Sequence, residues 1–483
     1  MKFLLSRKKF LQIEEDINSI FISHSTKNRG IIEKVIKSSI LYFFIGNLNK
    51  KEENYETSYS FLAFLKKALY FDILYIVISF SYLCRWLITR KVTLKSPILF
   101  LLLKEYHYKK NIGLLKFLKG KGISYSIIEE SGFSENNNNI KNKFNFYSFI
   151  FFIKNLVIFR IASYRYLLTR KEQKYYDLWA IKYLPLMLLK YSQCLYILKA
   201  YEFKILISVD PTDPLIKLLE VISSSEANKE AICFPLGYII EGDPYWLYNH
   251  NIFYGTSNYR GTKYLKKEHF TTKEIKTVGD SSYDSFLKKG LEKNNKNIIF
   301  FSTPSRKKIS QGGEFQINIE SYSEVFESII KIVIENNLKL IIKLHPQDNN
   351  HQNIKSILSK YKNIDYEIYR DIELSELFKK SFSAFGFKSN TFFESIINDV
   401  PYFVIDLEEN EDYFKINEFF SGIYLNSIDD INNNFNYFQN NRNIFIEKWR
   451  KSVKLYIENN FPLPLNQSTD RTFKFIMKVL DQV

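Results

Sequence analysis

Apolar and amphipathic segments alternate strictly between residues 297 and 405. Runs at 297–302, 338–344, 364–368, 382–386 and 401–405 have the length and composition of strands, and the segments 321–336, 351–360, 373–380 and 391–398 have helical spacing. This predicts a parallel sheet with helices on both faces, an α/β architecture. Two polar clusters punctuate it. Lys343-Leu344-His345-Pro346 stops an apolar strand on a His-Pro pair, and Ser389-Asn390-Thr391 opens the helix that carries Glu394. Such a cluster suits an N-cap, and a helix N-terminus offers N–H groups to an anion. His345 and Ser389 are 44 residues apart, about one βαβα passage. Both therefore belong on the carboxyl edge of the sheet, where open α/β folds bind ligands.

A second alternation lies upstream. The strand ILFLLL, a helix over NIGLLKFLKGKG and the strand ISYSIIEE form one βαβ opening, and Lys204 to Val209 adds a strand that ends in Asp210-Pro211-Thr212-Asp213. Asp210 and Asp213 fit either an acceptor-orienting pair or the capped start of a helix. Gly237 permits close backbone approach, and Glu241 and Asp243 place two acids beside it. Thr303, Ser305 and Arg306 follow the strand at 297–302 with further cations, a composition that suits a pyrophosphate because arginine binds it bidentately. A chain of 483 residues exceeds one ordinary core. The expected division is a helical extension over 1–95, a first Rossmann-like domain over 96–285, a second over 286–465, and a terminal helix over 466–483.

Charge narrows the partners. A net charge of +16 favours an anionic one, and nucleic acid, acidic lipid and phosphorylated small molecules all qualify. No nucleic-acid motif with interleaved basic and aromatic residues is present, so nucleic acid is not expected. Three cysteines without metal-like spacing fit a reduced, cytoplasmic protein, and residues 1–9 do not read as an export signal. Residues 69–89 approach a membrane span but contain Asp72 and Arg85, and 144–168 mixes Phe and Tyr with Lys154, Arg160 and Arg165. These segments read as core helices or as helices resting on an anionic leaflet.

Five segments in order, Pro235 to Ile240, VGDSSYD, STPSRK, KLHP and FKSNTFFESIINDVPYFVID, resemble the GT-B transferases that use cytidine-activated donors. That group includes the CDP-glycerol glycerophosphotransferases of teichoic-acid synthesis and the bacterial sialyl- and polysialyltransferases, with capsule Kdo transferases more distant. The resemblance covers residues 204–410. It implies two Rossmann-like domains facing across a cleft, a C-terminal helix returning to the first, and a metal-independent inverting transfer without cofactor. On that pattern His345 contacts the donor phosphate, Ser389 and Thr391 hold it, and Glu394 meets the ribose or sugar. Asn390 stands where the family usually has serine, while Thr303, Ser305, Arg306, Lys343 and Pro346 complete the donor side. The glycerophosphotransferase histidine before the glycine is replaced by Leu236, and the sialyltransferase acids appear in a different order as Glu241-Gly242-Asp243. The expected base is thus Glu241 or Asp243. The expected activity is sugar transfer to a glycan or lipid-linked acceptor in surface polysaccharide synthesis. Polyol-phosphate transfer and non-catalytic nucleotide or glycan binding are the alternatives.

Overall fold

The computed structural model describes residues 61–88, 94–130, 139–169, 179–210, 213–226, 229–235, 237–239, 252–268, 273–288, 296–306, 317–345, 350–407, 412 and 414–483. The chain divides into two compact units, one formed by Lys2–Ser281 with Thr469–Val483 and the other by Ser282–Ser468.

The first unit opens, among the described residues, with helix α1 (Phe61–Ile88). Strand β1 (Ile98–Leu101), helix α2 (Glu105–Gly120) and strand β2 (Tyr125–Ile128) follow. Two long helices, α3 (Phe146–Thr169) and α4 (Leu184–Ala200), precede β3 (Ile205–Ser208) and α5 (Pro214–Glu226). Strands β4 (Glu230–Cys233) and β5 (Phe253–Thr256), helix α6 (Tyr259–Glu268) and β6 (Glu274–Thr277) complete the alternation. The six strands form one parallel sheet in the order β2-β1-β3-β4-β5-β6.

Both sheet faces are covered, which explains why β1 and β3 are buried at every position rather than at alternate ones. Leu99, Leu101 and Leu206 join the core that holds α4 and α5, and the intervening Ile98, Phe100, Ile205 and Ile207 join a separate core with Leu114, Leu115 and Leu118 of α2. α2 begins six residues before the helix expected from Asn111, so its stripe of buried residues starts at His107.

The second unit repeats the plan. Its elements are β7 (Asn297–Phe301), α7 (Ile319–Glu335), β8 (Lys339–Lys343), α8 (His351–Leu358), β9 (Asp365–Tyr369), α9 (Leu374–Lys379) and β10 (Ser383–Phe387). Then come α10 (Thr391–Ile397), β11 (Tyr402–Ile405), β12 (Tyr424–Leu425), α11 (Ile428–Asn440) and α12 (Arg442–Asn460). The sheet is parallel in the order β9-β8-β7-β10-β11-β12.

Aromatic rings fill its core. Phe385 stacks on Phe403 at 5.0 Å, and Phe435, Phe438 and Phe445 pack around the pair. Gly386 makes room for a second stacked pair, Phe301 and Tyr402, because a Cβ there would collide with the Tyr402 hydroxyl and crowd Phe301. A final helix, α13 (Ser468–Leu480), belongs to the first unit from Thr469 onward. There Phe475 meets Phe234 and Phe253 edge-on, 6.2 Å from each.

Candidate functional site

In the second unit, β8, β7 and β10 lie side by side with Phe301 paired to both Lys343 and Gly386. Thr303, His345 and Ser389 each lie two residues beyond the end of one of these strands. Three candidates separated widely in the chain therefore share one carboxyl edge at nearly one level. Backbone bonds fix the two loops on the β7 and β8 side, with the Ser302 N–H donating to Lys343 O at 2.9 Å and the Leu344 N–H to Tyr369 O at 2.8 Å. The buried Asn350 amide donates to Thr303 O at 2.8 Å, and His345 itself is exposed.

The neighbouring polar groups are partly committed to the chain itself. Lys343 donates to the carbonyls of Leu344 and Arg370 at 3.0 and 2.7 Å. Burial holds its pKa below the ordinary lysine value, against the opposing pull of Asp371 and Glu394. Lys343 therefore braces the loop. The expectation of open N–H groups at the start of α10 is also corrected. Thr391 N–H donates to Ser389 Oγ at 3.2 Å, Phe392 N–H to Ser389 O at 3.1 Å and Phe393 N–H to Asn390 O at 3.0 Å. A hydroxyl that accepts one bond still carries a proton to donate. Tyr402 donates to Phe387 O at 3.1 Å and lies against the Ser389 hydroxyl, while burial pushes its own phenol pKa upward. Glu394 is buried in the first turn of α10, Thr391 is half-buried and Asn390 is exposed.

One pair at this edge was not singled out from the sequence. Lys388, after β10, meets Asp406, after β11, at 2.7 Å with both side chains buried, and Tyr424 donates to the same carboxylate at 2.8 Å. It ties two strand ends together. Ser305 and Arg306 form a short parallel strand with Ile317 and Asn318. Pro346 lies outside the described residues.

In the first unit, Asp210 and Asp213 follow β3 and separate in role. Asp213 Oδ1 accepts from Leu215 N–H at 2.8 Å and Ile216 N–H at 3.3 Å, so it caps α5. Burial raises its pKa. Asp210 instead joins Lys104 at 3.5 Å and His107 Nε2 at 3.7 Å. His107 is 1% exposed and neither ring nitrogen has a hydrogen-bond partner. Burial drives its pKa down to about 4, with Asp210 pulling upward and Lys104 downward. Its place in the stripe His107, Asn111, Leu114, Leu118 was the available sequence signal, hidden by the surrounding lysines.

Gly237 adopts a left-handed φ of 88°, and the Ser257 hydroxyl donates to its carbonyl at 2.6 Å. The loop is latched to the end of β5. Leu236, Glu241 and Asp243 lie outside the described residues.

Two six-stranded parallel-sheet units define a GT-B fold preceded by a helical region. Solved structures agree at the level of fold. UDP-GlcNAc 2-epimerase from Neisseria meningitidis, bound to UDP-GlcNAc, superposes with a TM-score of 0.51 at 11% identity, covering 80% of this chain and 100% of that one. A putative UDP-N-acetylglucosamine 2-epimerase from Listeria monocytogenes gives 0.50 at 11% identity over 81% and 98% of the two chains. The wall teichoic acid polymerase TagF scores 0.45, too low to bear on the fold, at 12% identity over 88% and 99%. No protein-family model and no curated protein matches the sequence.

Proposed function

We propose that this chain is an inverting, metal-independent glycosyltransferase of surface polysaccharide synthesis. It takes a sugar from a nucleotide-activated donor, CMP- or CDP-linked, to a glycan or lipid-linked acceptor at the inner face of the plasma membrane. The observation that supports this is the shared level of Thr303, His345 and Ser389 at the ends of three adjacent strands.

Breaking a glycosyl phosphate leaves negative charge on the departing nucleotide, and groups placed where that charge develops lower the barrier. In this reading His345 protonates or hydrogen-bonds the leaving phosphate, the Ser389 and Thr391 hydroxyls donate to it, and Glu394 receives a ribose or sugar hydroxyl. Glu241 or Asp243 takes the acceptor proton.

The test has two parts. A thermal-shift screen with CMP, CDP, UDP, GDP and ADP is expected to show stabilisation by the cytidine nucleotides. His345→Ala is then expected to reduce donor turnover by about 100-fold or more while the melting temperature stays unchanged. Full turnover in that variant would remove His345 from the mechanism.

A second reading, a nucleotide binder without transfer, draws support from Lys343, Ser389 and Asp213 bonding the chain's own backbone. Nucleotide stabilisation without release of nucleotide from CMP-sialic acid, CMP-Kdo or CDP-glycerol would favour it.

A further inference from the structure

Helix α1 is 28 residues long, and its most apolar 18-residue window has a mean hydropathy of 1.6, yet only 17% of that window is buried. A core helix of that composition would be covered. The burial follows one face: Phe64, Ala68, Asp72, Ser79 and Leu83 point inward at helical spacing, whereas Ile73, Val77 and Phe80 are 54%, 60% and 57% exposed. α3 packs beside it, with Phe149 of α3 and Phe80 of α1 edge-on at 6.5 Å. It too is half covered: Phe152, Leu156 and Phe159 are buried, while Tyr147, Ile150 and Val157 are 80%, 48% and 53% exposed. Together the two helices leave large apolar side chains exposed on neighbouring outer faces, the kind of contiguous patch that marks an interaction surface.

The charges identify what covers it. α1 contains one acid, Asp72, and α3 contains none. Asp72 is turned inward, where Arg160 Nε donates to it at 2.8 Å and Arg160 Nη1 donates to Ala180 O at 2.8 Å. The face is therefore stripped of negative charge, while Lys66, Lys67, Arg85 and Lys154 remain exposed on the same helices. An apolar strip on which these two helices expose only cations matches an anionic bilayer surface, where acyl chains receive the rings and headgroup phosphates receive the lysines.

We infer that the outer face of α1 and α3 seats this protein on an anionic lipid bilayer, with both helices lying in the interfacial plane. A spanning arrangement does not fit, because the inner face of α1 is packed into the first unit's core and its acid is held in a buried ion pair. Insertion is thus shallow, to about 5–10 Å. This inference stands apart from the donor chemistry: it specifies the surface by which the protein meets a membrane, whatever the nucleotide site does.

The experiment is vesicle flotation of the full chain, with phosphatidylglycerol mixed into phosphatidylethanolamine in one set and phosphatidylcholine alone in the other. The chain is expected to float with the anionic set and to bind less, but still measurably, at high salt, since screening removes only the electrostatic share. Val77→Asp with Phe80→Asp is expected to weaken binding by about tenfold or more. Both positions are exposed, so the variant's melting temperature should match the parent's. Lys66→Gln with Lys67→Gln provides an independent check and is expected to cost about fivefold per charge on the anionic vesicles alone.

Absence of flotation, or flotation unchanged by both variants, would overturn the inference. Retention on the membrane through an alkaline wash would replace it with a spanning helix. A dimer in sedimentation that Phe80→Asp separates would show that a second copy covers the face instead. Nucleotide stabilisation measured on the same preparations keeps failure here distinct from failure of the transferase reading.

Discussion

His107 pays for its position in protonation. Buried in α2 with both ring nitrogens unbonded, it is stable only as the neutral imidazole, which is why its pKa falls from 6.5 to about 4. In the unfolded chain the same ring takes its proton near its ordinary value. Between those two values the unfolded state binds more protons than the folded one. The stability contributed by this group is therefore complete above about pH 6.5 and is lost as pH falls toward about 4, at about 1.4 kcal/mol per pH unit. His107→Phe keeps a buried, somewhat larger aromatic ring and removes the titration. Urea denaturation at intervals from neutral to acid pH should give a shallower loss of stability in the variant; parallel curves would mean that His107 does not carry the acid limb.

Among the elements, α13 illustrates how a short helix can be structurally decisive. Its Phe475, Ile476 and Val479 are fully buried in the core built on Ile98, Phe100 and Ile205, although α13 lies nearly two hundred residues beyond the last strand of that sheet. Phe475→Ala is expected to cost about 3–5 kcal/mol, whereas Phe475→Leu should cost less than about 1.5 kcal/mol because most of the volume is kept. Urea midpoints of the two variants test this, and equal losses would show that the contact is backbone anchoring rather than ring packing. The strands were legible for a related reason. Parallel strands covered on both faces read as unbroken apolar runs, so β7, β8, β10 and β11 fall within a residue or so of their expected bounds. Side-chain partners were not legible in the same way. Nothing in the local sequence says that Lys388 meets Asp406, that Lys343 turns to the Arg370 carbonyl, or that Asp210 and Asp213, three residues apart, face different neighbours. Those choices depend on which strand ends the sheet order places together. Ser389 shows both limits, because the sequence marked its cluster as a cap or a phosphate site, and the hydroxyl accepts from Thr391 N–H in a local turn while Asn390 stands at the N-cap position.

For the whole molecule, the division into two units makes ligand binding readable unit by unit. The chain has four tryptophans, and Trp449 is the one within Ser282–Ser468. It is 2% exposed and packs on Phe420 at 5.0 Å, so its emission changes when the second unit unfolds. Replacing Trp86, Trp179 and Trp246 by phenylalanine leaves that single reporter. If His345, Ser389 and Thr303 bind the donor nucleotide, a cytidine nucleotide at about 100 times its dissociation constant should stabilise the second unit by about 2.7 kcal/mol and raise the Trp449 midpoint. Phe475→Ala, placed in the same single-tryptophan background, weakens only the first unit's core and should leave that midpoint in place. A nucleotide effect absent from Trp449 but present in the far-ultraviolet transition of the whole chain would move the donor site to the first unit's edge at Asp210 and Gly237. A Trp449 midpoint lowered by Phe475→Ala would instead mean that the units unfold as one cooperative block. In that case ligand and core mutations could no longer be assigned to separate halves of the molecule.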